Sequence, residues 1–211
     1  MIPRPDIGRL HVITDVSVQN RFDHEELTRR AVAGGADVIQ VRDKHAASSS
    51  LIKLVARVRS VCEPAGVPVI ANDHVDVALE AGAKGVHLGR HDADVAEARR
   101  TLGPSFVIGA SAGNLEEAIA AQAAGADYIG FGHIYPTRSK SKSSAPVGPE
   151  ALGDVCRALR IPVIAIGGID LSNIDAVLDA GAWGVAVIGA VCAAPDPQAA
   201  TRALRERIYG A

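Results

Sequence analysis

The stretch Gln40-Val41-Arg42-Asp43-Lys44 sets an amide and two cations at alternate positions. In an extended chain alternate residues share a side, and two cations facing together suit an anion such as a phosphate. Asp73, which follows Asn72, and Asp92 supply two carboxylates. Such a pair suits a hard divalent ion, and Mg2+, with water and phosphate oxygens completing its shell, fits it best. Gly167-Gly168 and Ile188-Gly189 expose backbone N–H groups just ahead of helical stretches, a cup for a phosphate. Lys140, with Thr137 and Ser139 beside it, adds a cation and two hydroxyls. The set suits two phosphate-bearing ligands and one metal. It predicts displacement of a diphosphate, with metal and cations stabilising charge on the leaving oxygens.

Each group also has a plainer reading. Asp73 alone reads as a helix cap, Arg42 as a packing or surface arginine, and Gly167-Gly168 as a tight turn. His133 reads either as a hydrogen-bonding spacer or as a general acid/base. His11, His74 and His91 read as packing or surface residues, and the three cysteines as inert. What raises the set above its members is where the members fall along the chain.

Four echoes organise that chain: Ala33-Gly34-Gly35-Ala36-Asp37-Val38, Ala81-Gly82-Ala83-Lys84-Gly85-Val86, Ala124-Gly125-Ala126-Asp127-Tyr128-Ile129 and Ala180-Gly181-Ala182-Trp183-Gly184-Val185. Each reads as a helix end, a glycine stop and a short apolar strand. Apolar runs beginning at Leu10, Val67, Phe106 and Ile161 fall between them. The pattern predicts eight strands, starting at about 10, 37, 68, 85, 106, 128, 162 and 184, each followed by an Ala/Leu-rich helical stretch. Eight such units point to an α/β protein, a single (β/α)8 TIM barrel over residues 1–211. An open doubly wound sheet also alternates strands and helices, but it needs no eightfold repeat, and no GxGxxG follows the first strand. In a barrel the site lies at the C-terminal strand ends, where Gln40, Asn72, Ser111, His133, Gly168 and Gly189 all fall. The polar segment 132–148 is expected to be a flexible active-site loop able to close over an anion.

Composition agrees and excludes alternatives. Twenty-two basic against 24 acidic residues, a net charge of −2, leave no broad surface for nucleic acid. Aromatics make up 3 % and glycines number 21, which suits buried parallel strands against Ala-rich helices. Cys62, Cys156 and Cys192, an odd number widely spaced, argue against a disulfide framework and for a reducing compartment. The N-terminus lacks a signal-peptide core, and no stretch is long enough for a confident membrane span. A cytoplasmic protein with no membrane partner is expected, and a homo-oligomer remains open.

The residues resemble those of the thiamine phosphate synthase family, whose close relative is the thiazole tautomerase. The resemblance runs over nearly the whole chain, from Leu10-His11-Val12-Ile13-Thr14-Asp15 through Gln40-Val41-Arg42-Asp43-Lys44, Asn72-Asp73, Gly85-Val86-His87-Leu88-Gly89 and Tyr128-Ile129-Gly130-Phe131-Gly132-His133 to Ile166-Gly167-Gly168-Ile169. It implies a transferase of thiamine biosynthesis that joins a hydroxymethylpyrimidine diphosphate to a thiazole phosphate by a dissociative displacement. It further implies that Gln40, Arg42, Lys44, Asn72, Ser111, Thr137, Ser139 and Lys140 bind the pyrimidine diphosphate, with Asp73 and Asp92 on Mg2+. Gly168, Ile188 and Gly189 would take the thiazole phosphate. Arg42, Lys44, Ser111, Lys140 and His133 are the candidates for catalysis. Three positions depart from the family pattern: Arg90 for a usual Gln, Gly189 for a common Ser, and Gly113 for a frequent His. Two other readings stand beside the synthase. One is the tautomerase, with His133 shuttling a proton, and the other a non-catalytic barrel that binds a phosphorylated ligand.

Overall fold

Along every strand, successive side chains enter two different environments. On β1 (Leu10–Thr14) Leu10 and Val12 pack outward, while His11 and Ile13 point inward. The same alternation holds on β2 (Val38–Val41), β3 (Val69–Asn72), β4 (Gly85–Leu88) and β5 (Val107–Ala112). It continues on β6 (Tyr128–Gly132), β7 (Val163–Ile166) and β8 (Gly184–Val187). One apolar cluster lies between strands and helices, with Ile39, Val86, Ile108 and Val185 in it; a second fills the interior with Ile13, Val38, Ile70, Tyr128 and Ile164. Apolar faces on both sides of short β-branched strands are what a parallel barrel requires.

The computed structural model describes residues 7–90, 92–137, 139 and 145–210. All eight strands are parallel, pair in sequence order and close through β1 and β8. Each strand begins within one residue of its predicted start. The helices are α1 (His24–Ala33), α2 (Ser48–Cys62), α3 (Val75–Glu80), α4 (Val95–Leu102), α5 (Leu115–Ala123), α6 (Gly148–Ala158), α7 (Ile174–Asp179), α8 (Gly189–Cys192) and α9 (Pro197–Tyr209). Side-chain caps start several of them: Asp23, Asp94, Asn114 and Asp196 each accept a backbone N–H of the first turn.

The four echoes share one hydrogen-bonding device. The N–H of Ala36, Ala83, Ala126 and Ala182 donates five residues back, to Ala31, Ala78, Ala121 and Val177. The glycine before each alanine has a positive φ between 65° and 100°, the left-handed turn that ends a helix and drops the chain into the next strand. In the first copy that residue is Gly35; Gly34 is still right-handed. One further expectation needs correcting. Gly189 opens α8 directly, but Gly167-Gly168 does not lead into a helix: a turn follows, and α7 starts only at Ile174.

Candidate active site

A cavity of about 460 Å3 opens at the C-terminal strand ends. Gln40, Ser111, His133, Thr137, Ser139, Gly168, Ile188 and Gly189 line it, along with His11, His87 and Arg90. Ile13, Ile164, Ile166 and Ala186 form its apolar wall. Ser139 lies close to the end of β8: a Cβ added at Gly189 would lie 3.2 Å from Ser139 Oγ. His133 is buried, with its Cβ packed against Gly167. Residues 138 and 140–144 of the expected flexible stretch, Lys140 among them, lie outside the described residues, as does His91.

Five predicted site residues do not line this cavity: Arg42, Lys44, Asn72, Asp73 and Asp92. They gather around the ends of β2, β3 and β4 instead. Asn72 is buried and pairs in register with His87. Asp73 follows in a tight three-residue turn, in which His74 N donates to Asn72 O at 2.9 Å, and its φ of +69° is left-handed. A non-glycine residue held there is strained, by about 1–2 kcal/mol, and such strain gathers at functional sites. Asp73 also receives Lys44 Nζ, and its carboxylate bonds that of Asp92. Asp92 Oδ2 accepts from Gly89 N at 2.7 Å.

The Asp92 carboxyl is raised above the ordinary range, first by burial, then by the hydrogen bond and charge of Asp73. Two close carboxylates that resist ionising together are a donor set short of positive charge. A divalent ion fits this deficit. Among the described residues no group of three or more His, Cys, Asp or Glu could hold a metal, so the fit is to an ion that keeps water or ligand oxygens, as Mg2+ does. Asp73 and Asp92 are the residues that would hold it.

The two cations expected to face an anion are already engaged. Arg42 Nη1 is paired with Asp15 Oδ2 at the end of β1, both side chains nearly buried, and Lys44 is on Asp73. A buried guanidinium with no counter-charge would be costly, and Asp15 supplies one. Arg42 Nε remains buried without a partner. Asp15 was missed by sequence reasoning, although it closes Thr14-Asp15, a strand end like the others. His87 and Tyr128 were missed too. His87 bridges Tyr128 Oη and Ser111 Oγ inside the barrel. The three cysteines are free, and burial pushes their thiols up, Cys62 to about 12, Cys156 and Cys192 to about 11.

Residues 10–191 match the family described as Thiamine monophosphate synthase. The chain belongs to this family. A thiamine-phosphate synthase of Salinibacter ruber is 47 % identical over 204 residues, 97 % of this chain and 90 % of that protein. One of Methanocella arvoryzae is 47 % identical over 196 residues, 93 % and 92 % of the two chains. A solved thiamine phosphate pyrophosphorylase from Pyrococcus furiosus superposes with a TM-score of 0.89 at 37 % identity, covering 96 % of each chain. In this member of the thiamine monophosphate synthase family, two of the three departures, Arg90 and Gly113, lie side by side. A Cβ at Gly113 would lie 3.0 Å from Arg90 Nη1. The arginine therefore occupies space that a larger residue at 113 would need, and it lines the cavity from there.

Proposed function

We propose that this chain is a thiamine-phosphate synthase, joining a pyrimidine methyl diphosphate to a thiazole phosphate to give thiamine phosphate and diphosphate. The observation that carries the reading is a juxtaposition. The Asp73–Asp92–Lys44 cluster stands beside a half-apolar cavity edged by hydroxyls and glycine N–H groups. Family membership and full-length relatives support it.

In this reading the diphosphate lies toward Arg42, Lys44, Asn72, Ser111 and the carboxylates, and the pyrimidine enters the cavity against Gln40. Thr137, Ser139 and Lys140 bind the diphosphate. The thiazole phosphate sits at Gly168, Ile188 and Gly189. The bond between the pyrimidine methylene and the diphosphate oxygen breaks, and the oxygen keeps the electron pair. The thiazole nitrogen lone pair then forms the new C–N bond, so no nucleophilic side chain is needed. Mg2+, held by Asp73 and Asp92, would supply positive charge against the leaving diphosphate. Arg42 and Lys44 supply more, and Ile164, Ile166 and Ala186 keep water from the carbon cation.

We place the activity in the cytoplasm, on small-molecule substrates. Free thiols at three positions support a reducing compartment. Among the described residues no helix is long and apolar enough to cross a membrane.

The test is coupling by purified protein given both phosphorylated precursors, with and without Mg2+. Thiamine phosphate formation that needs the ion is expected, and Lys140→Ala should lower kcat by about tenfold or more. Proton exchange on the thiazole that depends on His133, with no coupling, would overturn the reading in favour of an isomerase.

A further inference from the structure

Three interior side chains on adjacent strands form a chain of hydrogen bonds that the proposed reaction does not by itself require. His87 on β4 stands between Tyr128 on β6 and Ser111 on β5, with Nδ1 3.0 Å from Tyr128 Oη and Nε2 2.9 Å from Ser111 Oγ. A neutral imidazole has one donor and one acceptor, so either contact alone leaves the direction open. Tyr128 decides it.

The Tyr128 ring is 1 % exposed and lies between His11 and His87, each ring centroid 5.4 Å away. Burial raises the phenol further, so its hydroxyl keeps its hydrogen. Among the described residues, His87 Nδ1 is the acceptor within reach of that hydrogen. Were Nδ1 itself protonated, the phenol O–H would be buried with no acceptor, the costly case of an unmade hydrogen bond. Nδ1 therefore keeps its lone pair and the ring hydrogen lies on Nε2.

The backbone is cleared for this arrangement. A Cβ at Gly109 would lie 2.4 Å from Tyr128 Oη and 2.5 Å from His87 Nδ1, and one at Gly130 2.7 Å from His87 Cε1. In register, Gly109 pairs with His87 on one side and Tyr128 on the other, and the missing side chain lets the two rings meet.

We infer that Tyr128 and His87 are positioning residues that make Ser111 a hydrogen-bond donor to the ligand. The phenol donates to Nδ1, Nε2–H donates to Ser111 Oγ, and the serine hydrogen is left for the cavity that Ser111 lines. His87 Nε2 has no lone pair with which to take that hydrogen, so Ser111 is neither a nucleophile nor a relay to a base. Its acceptor is an oxygen of the departing diphosphate; this last assignment rests on the synthase reading, whereas the tautomer does not.

Isotopic labelling of the histidine ring nitrogens and a long-range proton–nitrogen spectrum of the ligand-free protein read the tautomer directly. The His87 signals are those lost in His87→Gln. A protonated Nε2 with a bare Nδ1 is expected, and a protonated Nδ1 would overturn the inference. Tyr128→Phe should bring the two forms into exchange and lower kcat about tenfold, with KM for the pyrimidine diphosphate changed less than about twofold. His87→Gln offers one acceptor and one donor, and should keep at least about a third of kcat where His87→Leu loses about tenfold or more. An unchanged kcat in Tyr128→Phe, beside a large loss in Ser111→Ala, would also sink it. If the unmodified protein failed to couple the precursors, the synthase reading would fall, and the spectrum would still decide the tautomer.

Discussion

His11 and Asp15, four residues apart on and just beyond β1, show how the barrel sets the charge of single groups. Burial lowers His11 from 6.5 to about 4, against the opposing pull of its bond to the Ile7 carbonyl. His11 is therefore neutral in the fold and takes a proton on unfolding. The sign follows: the unfolded chain binds more protons between pH 6.5 and about 4, so stability falls as pH drops through that window. The shift corresponds to about 3 kcal/mol. Urea unfolding of His11→Phe should lose that part of the acid slope, and an unchanged slope would count against a buried neutral imidazole. Asp15 does a different job, giving Arg42 a counter-charge where water is scarce. Asp15→Asn should cost about 3 kcal/mol because a buried cation loses its partner. Arg42→Met in the same chain should return most of it, a recovery that chemical denaturation of the double variant would register.

Elements are held by glycines whose work differs from place to place. Gly82 has a φ of +65° at the end of α3, and the nearest atoms to a Cβ there would be those of the Arg59 side chain, at 3.8 Å. Gly82→Ala should therefore cost about 1–2 kcal/mol through the backbone alone, with activity intact. Gly109 answers to packing instead. A Cβ there would lie 2.1 Å from Tyr128 Cζ, so Gly109→Ala should cost about 1–3 kcal/mol by overpacking. It should also lower turnover by displacing His87. Equal effects of the two variants on turnover would contradict this division. The echoes made the helix–glycine–strand device readable because its hydrogen bonds are local. Gly109 was not readable, since the rings it admits come from β4 and β6, about 20 residues to either side.

Across the whole molecule, charge is close to balanced, 22 basic residues against 24 acidic, yet the barrel mouth brings like charges together. Asp73 and Asp92 come from the ends of different strands and raise the Asp92 carboxyl between them. A raised carboxyl means the fold holds a proton that the unfolded chain would release. Ligand-free stability therefore falls as pH rises from the ordinary carboxylate range through the raised value. A divalent ion held there, as proposed, would replace that proton. The gain in thermal midpoint on adding Mg2+ should then be larger near about pH 8 than near about pH 5 and vanish in Asp92→Asn. A gain that ignores pH would argue against the carboxylate pair as its site.

The (β/α)8 order was legible in the sequence because every strand and helix announces itself locally, through apolar runs, capping residues and left-handed glycines. Gln40, Ser111, Thr137, Gly168 and Gly189 could be picked out for the same reason: a parallel barrel sends the residues after each strand to one mouth, whatever their separation along the chain. Which partner each group meets was decided only by tertiary structure. Arg42 on Asp15, Lys44 on Asp73 and His87 between Tyr128 and Ser111 all depend on strand register and on which face each residue takes. Those are properties of the closed barrel, set by packing between segments that have no local signal for one another.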